Sequence, residues 1–347
     1  MATATPPSPT VTALRIATSC SLCLVLVAWW RLEHANLAVW TSYMVMAVVP
    51  ITVFQRGLER ALGRGLGIIV AIALVGLFPD QRLVRIVLGS ALLMAVFYGY
   101  IAGRLSYAII NGAMYFSVLT QLATTSPADV THQGWEMFLA VLVGCLVSDL
   151  VVWVTRAEAT LSIDTGTQPL FPLRNDWLNR ALMMIVTVNL TIQVCLYFDL
   201  PLQATIISVM IVTGNPDVHS ILLKGELRLA GVFAGGAYGA AAFFVLSLVP
   251  HFSVLVALVF LATFVAGYLS KVLGAYSYFG AQLGLVICLT IVVPAREFGS
   301  LTAVFQRAAG IVIAIVIAAV VPGLWPRFPF DAATGSTATP PAGAGRG

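Results

Sequence analysis

Residues 60–67 read Arg-Ala-Leu-Gly-Arg-Gly-Leu-Gly, and residues 228–235 read Arg-Leu-Ala-Gly-Val-Phe-Ala-Gly. Both are R-x-x-G-x-x-x-G at the head of a long apolar run, 168 residues apart. The same offset maps Gly99-Tyr100 onto Gly267-Tyr268, Leu105 onto Leu273, and Gly112-Ala113 onto Gly280-Ala281 without a gap. Upstream the offset becomes 165, carrying Arg15 onto Arg180 and Leu37 onto Leu202, as a short indel between the second and third runs would produce. Self-similarity at one offset is the signature of an internal repeat.

Twelve apolar stretches surround these motifs: 13–30, 37–54, 62–78, 84–101, 107–123, 135–155, 181–198, 202–213, 227–249, 252–269, 275–293 and 305–321. Most approach the ~20 residues that cross a ~30 Å hydrocarbon core as helix, a form that satisfies its own backbone hydrogen bonds. Stretch 202–213 is short and runs into Gly214, Asn215 and Pro216, so a helix that breaks early or is buried among neighbours is expected there. The expected fold is all-α and integral to the membrane, with about 12 transmembrane helices as two parallel six-helix repeats. Six is even, so both copies face the same way and are related by an axis along the membrane normal, a recurrent transporter layout.

Composition agrees. The chain has 347 residues, 60% of them hydrophobic, with only 18 Lys and Arg and 14 Asp and Glu, and a mean hydropathy of +0.97. A soluble domain is roughly 45–50% apolar and about 25% charged. This balance excludes a cytosolic enzyme, a secreted disulfide scaffold and a nucleic-acid module. The net charge of +4 comes from cations scattered at the ends of apolar runs, so it reads as topology and not as a phosphate-binding face. With the N-terminus inside, 13 of the 18 Lys and Arg residues fall on the cytoplasmic side, which places both termini in the cytoplasm. Cys20, Cys23, Cys145, Cys195 and Cys288 all lie within apolar runs and are expected to pack as small apolar residues.

Residues 1–12, with three prolines among Thr, Ser and Ala, lack the basic start and cleavage site of a signal peptide and are expected to form a disordered cytoplasmic tail. The first membrane repeat spans 13–155 and the second 181–325. The polar stretch 156–180 joins them as a cytoplasmic linker, too short for a domain of its own. Residues 326–347 are Ala, Gly, Thr and Pro with few bulky apolar side chains, and form a second disordered tail.

An early Arg in the first span, Trp40 in the second, basic residues leading into the Arg-Gly motif, and a Tyr- and Gly-bearing fifth span (residues 106–112, Ser-Tyr-Ala-Ile-Ile-Asn-Gly) together resemble the fusaric acid resistance and aromatic acid exporter family. The resemblance extends over about residues 14–324. It implies export of small aromatic or hydrophobic weak acids across the bacterial inner (plasma) membrane, with a periplasmic adaptor (membrane fusion) protein as a partner; plant malate channels look like distant relatives. Longer members carry a large cytoplasmic domain that this chain lacks.

Three groups of residues are candidates to carry transport. Gly63 and Gly67, and again Gly231 and Gly235, lie four apart on one helix face and let another backbone approach. Arg60 and Arg228 stand at the inner boundary, either snorkelling to water or, brought together by the pseudo-twofold, attracting a carboxylate that a guanidinium grips at two points. Asp149 is the clearest acid within a span, where a charge costs about 2.5 kcal/mol or more. It is the proton-coupling candidate; the alternatives are snorkelling or pairing with Arg156. Trp40, Tyr107, Asn111 and Tyr115, with Tyr276 and Gln282, are the substrate-cavity candidates, since Tyr107, Asn111 and Tyr115 share one helix face. Interhelical hydrogen bonding is the plainer reading of the same residues. Gln121 and Tyr278 belong to the same polar and aromatic group, Asn189 and Gln193 of the seventh span are weaker members, and Asp129 and Glu136 read as a solvated loop edge.

His34, His132, His219 and His251 fall in predicted loops without metal-ligand spacing, and no P-loop occurs, so no metal, cofactor or nucleotide is expected. The expectation is a proton-driven exporter of small aromatic or lipophilic carboxylates, not an enzyme. An anion channel of the malate-channel type and a non-transport assembly subunit are the competing readings. Gly-rich seams would allow a homodimer.

Overall fold

The computed structural model describes residues 8–47, 53–101, 107–155, 175–200, 206, 209, 218–292 and 301–325. Among these residues all regular structure is helical. Eleven α-helices run in chain order: α1 Pro9–Trp30, α2 Ala35–Ala47, α3 Val53–Leu77, α4 Arg82–Ile101, α5 Tyr107–Leu122, α6 Val130–Val154, α7 Asn175–Tyr197, α8 Val218–Leu248, α9 Phe252–Val272, α10 Ser277–Thr290 and α11 Leu301–Leu324. Seven of them, α1, α3, α4, α6, α7, α8 and α9, contain stretches long and apolar enough to cross a membrane. Linker residues 156–174 and the short stretch 202–213, apart from Ile206 and Val209, lie outside the described residues, and α7 begins at Asn175, inside the expected linker.

Helix boundaries depart from the apolar runs in an instructive way. α1 begins at Pro9, inside the expected tail, because the Ser8 side chain accepts the Val11 N–H at 3.3 Å and proline suits the first helical position. α3 and α8 each begin nine residues before the apolar run they contain, at Val53 and Val218. Arg60 and Arg228 therefore sit well inside helices. His132 and His219 lie in the first turns of α6 and α8 and not in loops. A helix can run on through polar turns at its ends, which hydropathy alone does not register.

The molecule turns the soluble pattern inside out. Leu62, Leu66 and Ile69 of α3, Leu146, Leu150 and Trp153 of α6, and Phe233 and Phe244 of α8 are exposed, whereas Arg60, Arg64, Arg85 and Arg228 are buried. An apolar surface of this extent belongs against lipid tails. At the centre, α2 and α10 are covered on nearly every side. The 14 residues of α10 rise about 21 Å, less than a bilayer core, and α10 lies among α8, α9 and α2.

Small residues set the closest contacts. On α3, a methyl group added at Gly63 would collide with the Ala108 backbone of α5, and one at Gly67 with the Gly112 backbone. This is the close backbone approach that four-residue glycine spacing permits in lipid. The α8–α10 contact is looser: a Cβ at Gly231 would stand 2.8 Å from the Gln282 Cβ, and one at Gly235 2.9 Å from the Val286 Cβ.

Long-range packing crosses between the two halves of the chain. α1 lies along α9, with Ala13 and Ile16 against Gly267. α7 lies along α4, where Trp177 meets Tyr98 edge-on at 6.0 Å and Asn189 Nδ2 donates to Ser90 Oγ at 3.0 Å. Within each half, α3 packs on α5 and α6, and α8 on α10 and α11.

Candidate functional site

The N-terminal half of α3 carries Arg60, Gly63, Arg64 and Gly67 at positions i, i+3, i+4 and i+7, so cations and glycines share one face, directed at α5. Arg64 is the centre of the group. Its side chain is 0% exposed, and Nη1 donates to Thr41 Oγ1 of α2 at 2.6 Å. The guanidinium carbon lies 4.6 Å from the Tyr115 ring centroid on α5 and 5.3 Å from that of Trp40 on α2. Two aromatic faces thus hold a desolvated cation, each contact being worth about 0.5–2 kcal/mol. The Tyr115 hydroxyl and the Trp40 indole N–H, both buried, make no hydrogen bond. Arg60, one turn earlier, is 2% exposed, so it does not snorkel. Both guanidinium groups are within electrostatic reach of Tyr115 and of Cys145 on α6. Asn111, one turn before Tyr115, is buried on the same helix.

Asp149 of α6 borders this group. Its carboxylate oxygens lie 3.4 and 3.6 Å from where a Cβ on Gly57 of α3 would stand, so the absence of a side chain at Gly57 makes room for it. Oδ1 is buried without a hydrogen-bond partner. Arg156, the alternative partner, and the side chain of Tyr107 lie outside the described residues.

In the second half, Arg228 of α8 is buried, donates to the Tyr278 hydroxyl of α10, and lies 5.3 Å from that ring's centroid. Gln282 is buried against Gly231. Tyr276 is 59% exposed, in the short turn before α10. Arg60 and Arg228 belong to separate packing groups, α3 with α5 and α6, and α8 with α10 and α11.

Three features escaped the sequence reading. Arg64 reads in the sequence only as a charge beside an apolar run, although its position four after Arg60 marks the same face. Thr41 had no signal. Ser19, Ser42 and Ser148, from α1, α2 and α6, form a fully or nearly dry hydroxyl triangle with oxygen separations of 2.6, 3.2 and 3.4 Å, visible only once three distant helices meet. Away from this core, His34 Nε2 pairs with Gln133 Oε1 at 2.7 Å, and Gln133 Nε2 donates to Glu33 Oε2 at 3.3 Å. Glu136, expected at a solvated edge, accepts the Glu33 N–H at 3.3 Å. No group of three potential metal ligands gathers among the described residues.

An all-helical bundle with an apolar outside, cations inside and several membrane-length helices defines the class: a multi-pass membrane protein. Residues 22–151 match the family described as fusaric acid resistance protein-like. That stretch is similar to this family, as its motifs suggested, and it contains Trp40, Thr41, Arg60, Arg64, Tyr115 and Asp149. No curated protein and no solved structure matches the chain.

Proposed function

We propose that the protein is an efflux transporter of the bacterial inner membrane that exports small aromatic or lipophilic carboxylic acids and is driven by the proton gradient. The observation that carries this reading is the buried Arg64, held by Trp40, Tyr115 and Thr41, with the carboxylate of Asp149 on the adjoining helix. A guanidinium in a low-dielectric interior attracts a carboxylate, and aromatic faces suit a ring attached to it. Asp149 can load and release the coupling proton, and acids at such positions serve proton relays. The likeness of residues 22–151 to fusaric acid resistance protein-like proteins supports a transport role.

The architecture is read as twelve membrane helices in two copies of a six-helix unit, with both termini in the cytoplasm. Support comes from matched packing. α3 on α5 and α6 corresponds to α8 on α10 and α11, and α1 on α9 corresponds to α7 on α4. A periplasmic adaptor and a second copy of the chain are the partners this reading expects.

The test is release of a panel of aromatic acids from proteoliposomes under an imposed pH gradient, with Asp149→Asn alongside wild type. Proton-linked release lost in Asp149→Asn supports the reading. Flux that follows voltage and ignores the substitution makes the protein an anion channel, and absence of flux makes it an assembly subunit.

A further inference from the structure

At the opposite end of α3 from Arg60 and Asp149, the start of α4, the end of α5 and the C-terminal half of α7 border a small, partly open cavity of about 40 Å³. Arg85, Ser90, Thr120, Gln121, Asn189 and Gln193 supply its polar lining, with Arg82 at the edge, and no acidic side chain lines it. Arg85 is 6% exposed. One of its terminal nitrogens donates to the carbonyls of Phe78, at 2.8 Å, and Pro79, and the other to that of Ala123 at 3.1 Å.

Those carbonyls satisfy hydrogen bonds but are neutral, so the full charge of an always-protonated guanidinium remains in a poorly solvated place. The Arg85 Nε–H is buried and has no acceptor. A buried donor without a partner calls for an explanation, and a bound ion is one. Asn189 Nδ2 donates to Ser90 Oγ, so the serine hydroxyl hydrogen is left to point elsewhere, and the Gln193 amide adds two donors. Cation, amide and hydroxyl donors around a small space form an anion receptor.

We infer that this cavity between α4, α5 and α7 is a second anion-binding site, sized for one carboxylate group, at the end of the bundle away from Asp149. A volume of about 40 Å³ is on the order of one or two water volumes, so the site takes a headgroup or a small free carboxylate and leaves any aromatic ring outside. The inference goes beyond the transport proposal, since binding here requires neither coupling nor flux.

Equilibrium titration of the purified full chain with acetate and with benzoate tests it. Saturable binding of both is expected, weakened at least tenfold in Arg85→Gln and several-fold in Asn189→Leu. Should Arg85→Gln fail to fold, for lack of the carbonyl clamp, Asn189→Leu decides, because it leaves that clamp in place. In Arg60→Gln the component of binding that Asn189→Leu weakens should persist, whatever is lost at the α3 group, which separates the two sites. Benzoate binding tenfold tighter than acetate assigns the site to the headgroup of an aromatic acid; equal affinity assigns it to a free small carboxylate. Absence of saturable binding, or binding indifferent to Asn189→Leu and to a folded Arg85→Gln, overturns the inference.

Discussion

Arg31 and Asp199 stand 168 residues apart and share one backbone peculiarity: both adopt the left-handed conformation, with φ of 56° and 50°. They are the non-glycine residues with positive φ among the described residues. Arg31 follows α1 and Asp199 follows α7, and the next residue closes the same bond each time, Leu32 N–H to the Val27 carbonyl at 3.1 Å and Leu200 N–H to the Cys195 carbonyl at 2.8 Å. The donors and acceptors of these two bonds are also 168 apart, the offset of the Arg-Gly motif and not the 165 read from Arg15 and Leu37. A helix terminator of this type is normally glycine.

Glycine at either position should therefore stabilise the protein. Both side chains are exposed, and a left-handed L-residue costs about 1–2 kcal/mol. Arg31→Gly and Asp199→Gly are each expected to raise the thermal midpoint in detergent, by amounts that add because the turns are distant. A lowered midpoint in both would show that the side chains have another role.

Gly63 should tolerate no side chain at all. Gly63→Ala drives a methyl into the Ala108 backbone, which cannot rotate away, so a loss of about 1–3 kcal/mol or more is expected. Gly231→Ala meets the Gln282 side chain and should cost less, and Gly76→Ala, with nothing within 4 Å, should be neutral. Thermal melts of the three variants check the order.

Tyr115 should be replaceable by Phe but not by Ala. Its hydroxyl makes no hydrogen bond, whereas its ring faces the Arg64 guanidinium at 4.6 Å. Tyr115→Phe is expected to keep stability and aromatic acid flux. Tyr115→Ala should lose roughly 2–5 kcal/mol through the cavity and the lost cation–π contact. The pair is read by melting and by proteoliposome release.

Stability should fall in mild acid on account of His34. Burial holds its pKa below the usual 6.5, against the opposing pull of Gln133, Glu33 and Glu136. The unfolded state then binds the proton more readily, so this contribution is complete above about pH 6.5 and is lost as pH falls from there through the folded pKa. Melting between pH 7.5 and pH 5 should show a decline that His34→Gln reduces. An identical decline in the variant would assign it to other groups.

Much of the fold was legible because lipid imposes a simple rule. Apolar runs of membrane length must be helices, and small residues four apart must face another helix, which is why Gly63, Gly67, Gly231 and Gly235 all appear at helix contacts. The site was legible only in part. Of the candidate residues, Trp40 of α2, Arg60 of α3, and Asn111 and Tyr115 of α5 are buried, while Tyr276 lies at the surface. Hydropathy treats a cation beside an apolar run as a loop charge, so it hid Arg64, which the packing of α2 and α5 buries.

The amino-acid order alone determined that this chain is a helical membrane protein, that its two halves carry one Arg-Gly motif each, and that residues 22–151 resemble a known family. Those properties are local, or follow from transfer between water and lipid. Only the tertiary structure decided which helices cross from half to half, α1 onto α9 and α7 onto α4, and which cations go inside. Both depend on shape matching and desolvation among side chains tens to hundreds of residues apart, and neither is written in any single stretch of the chain.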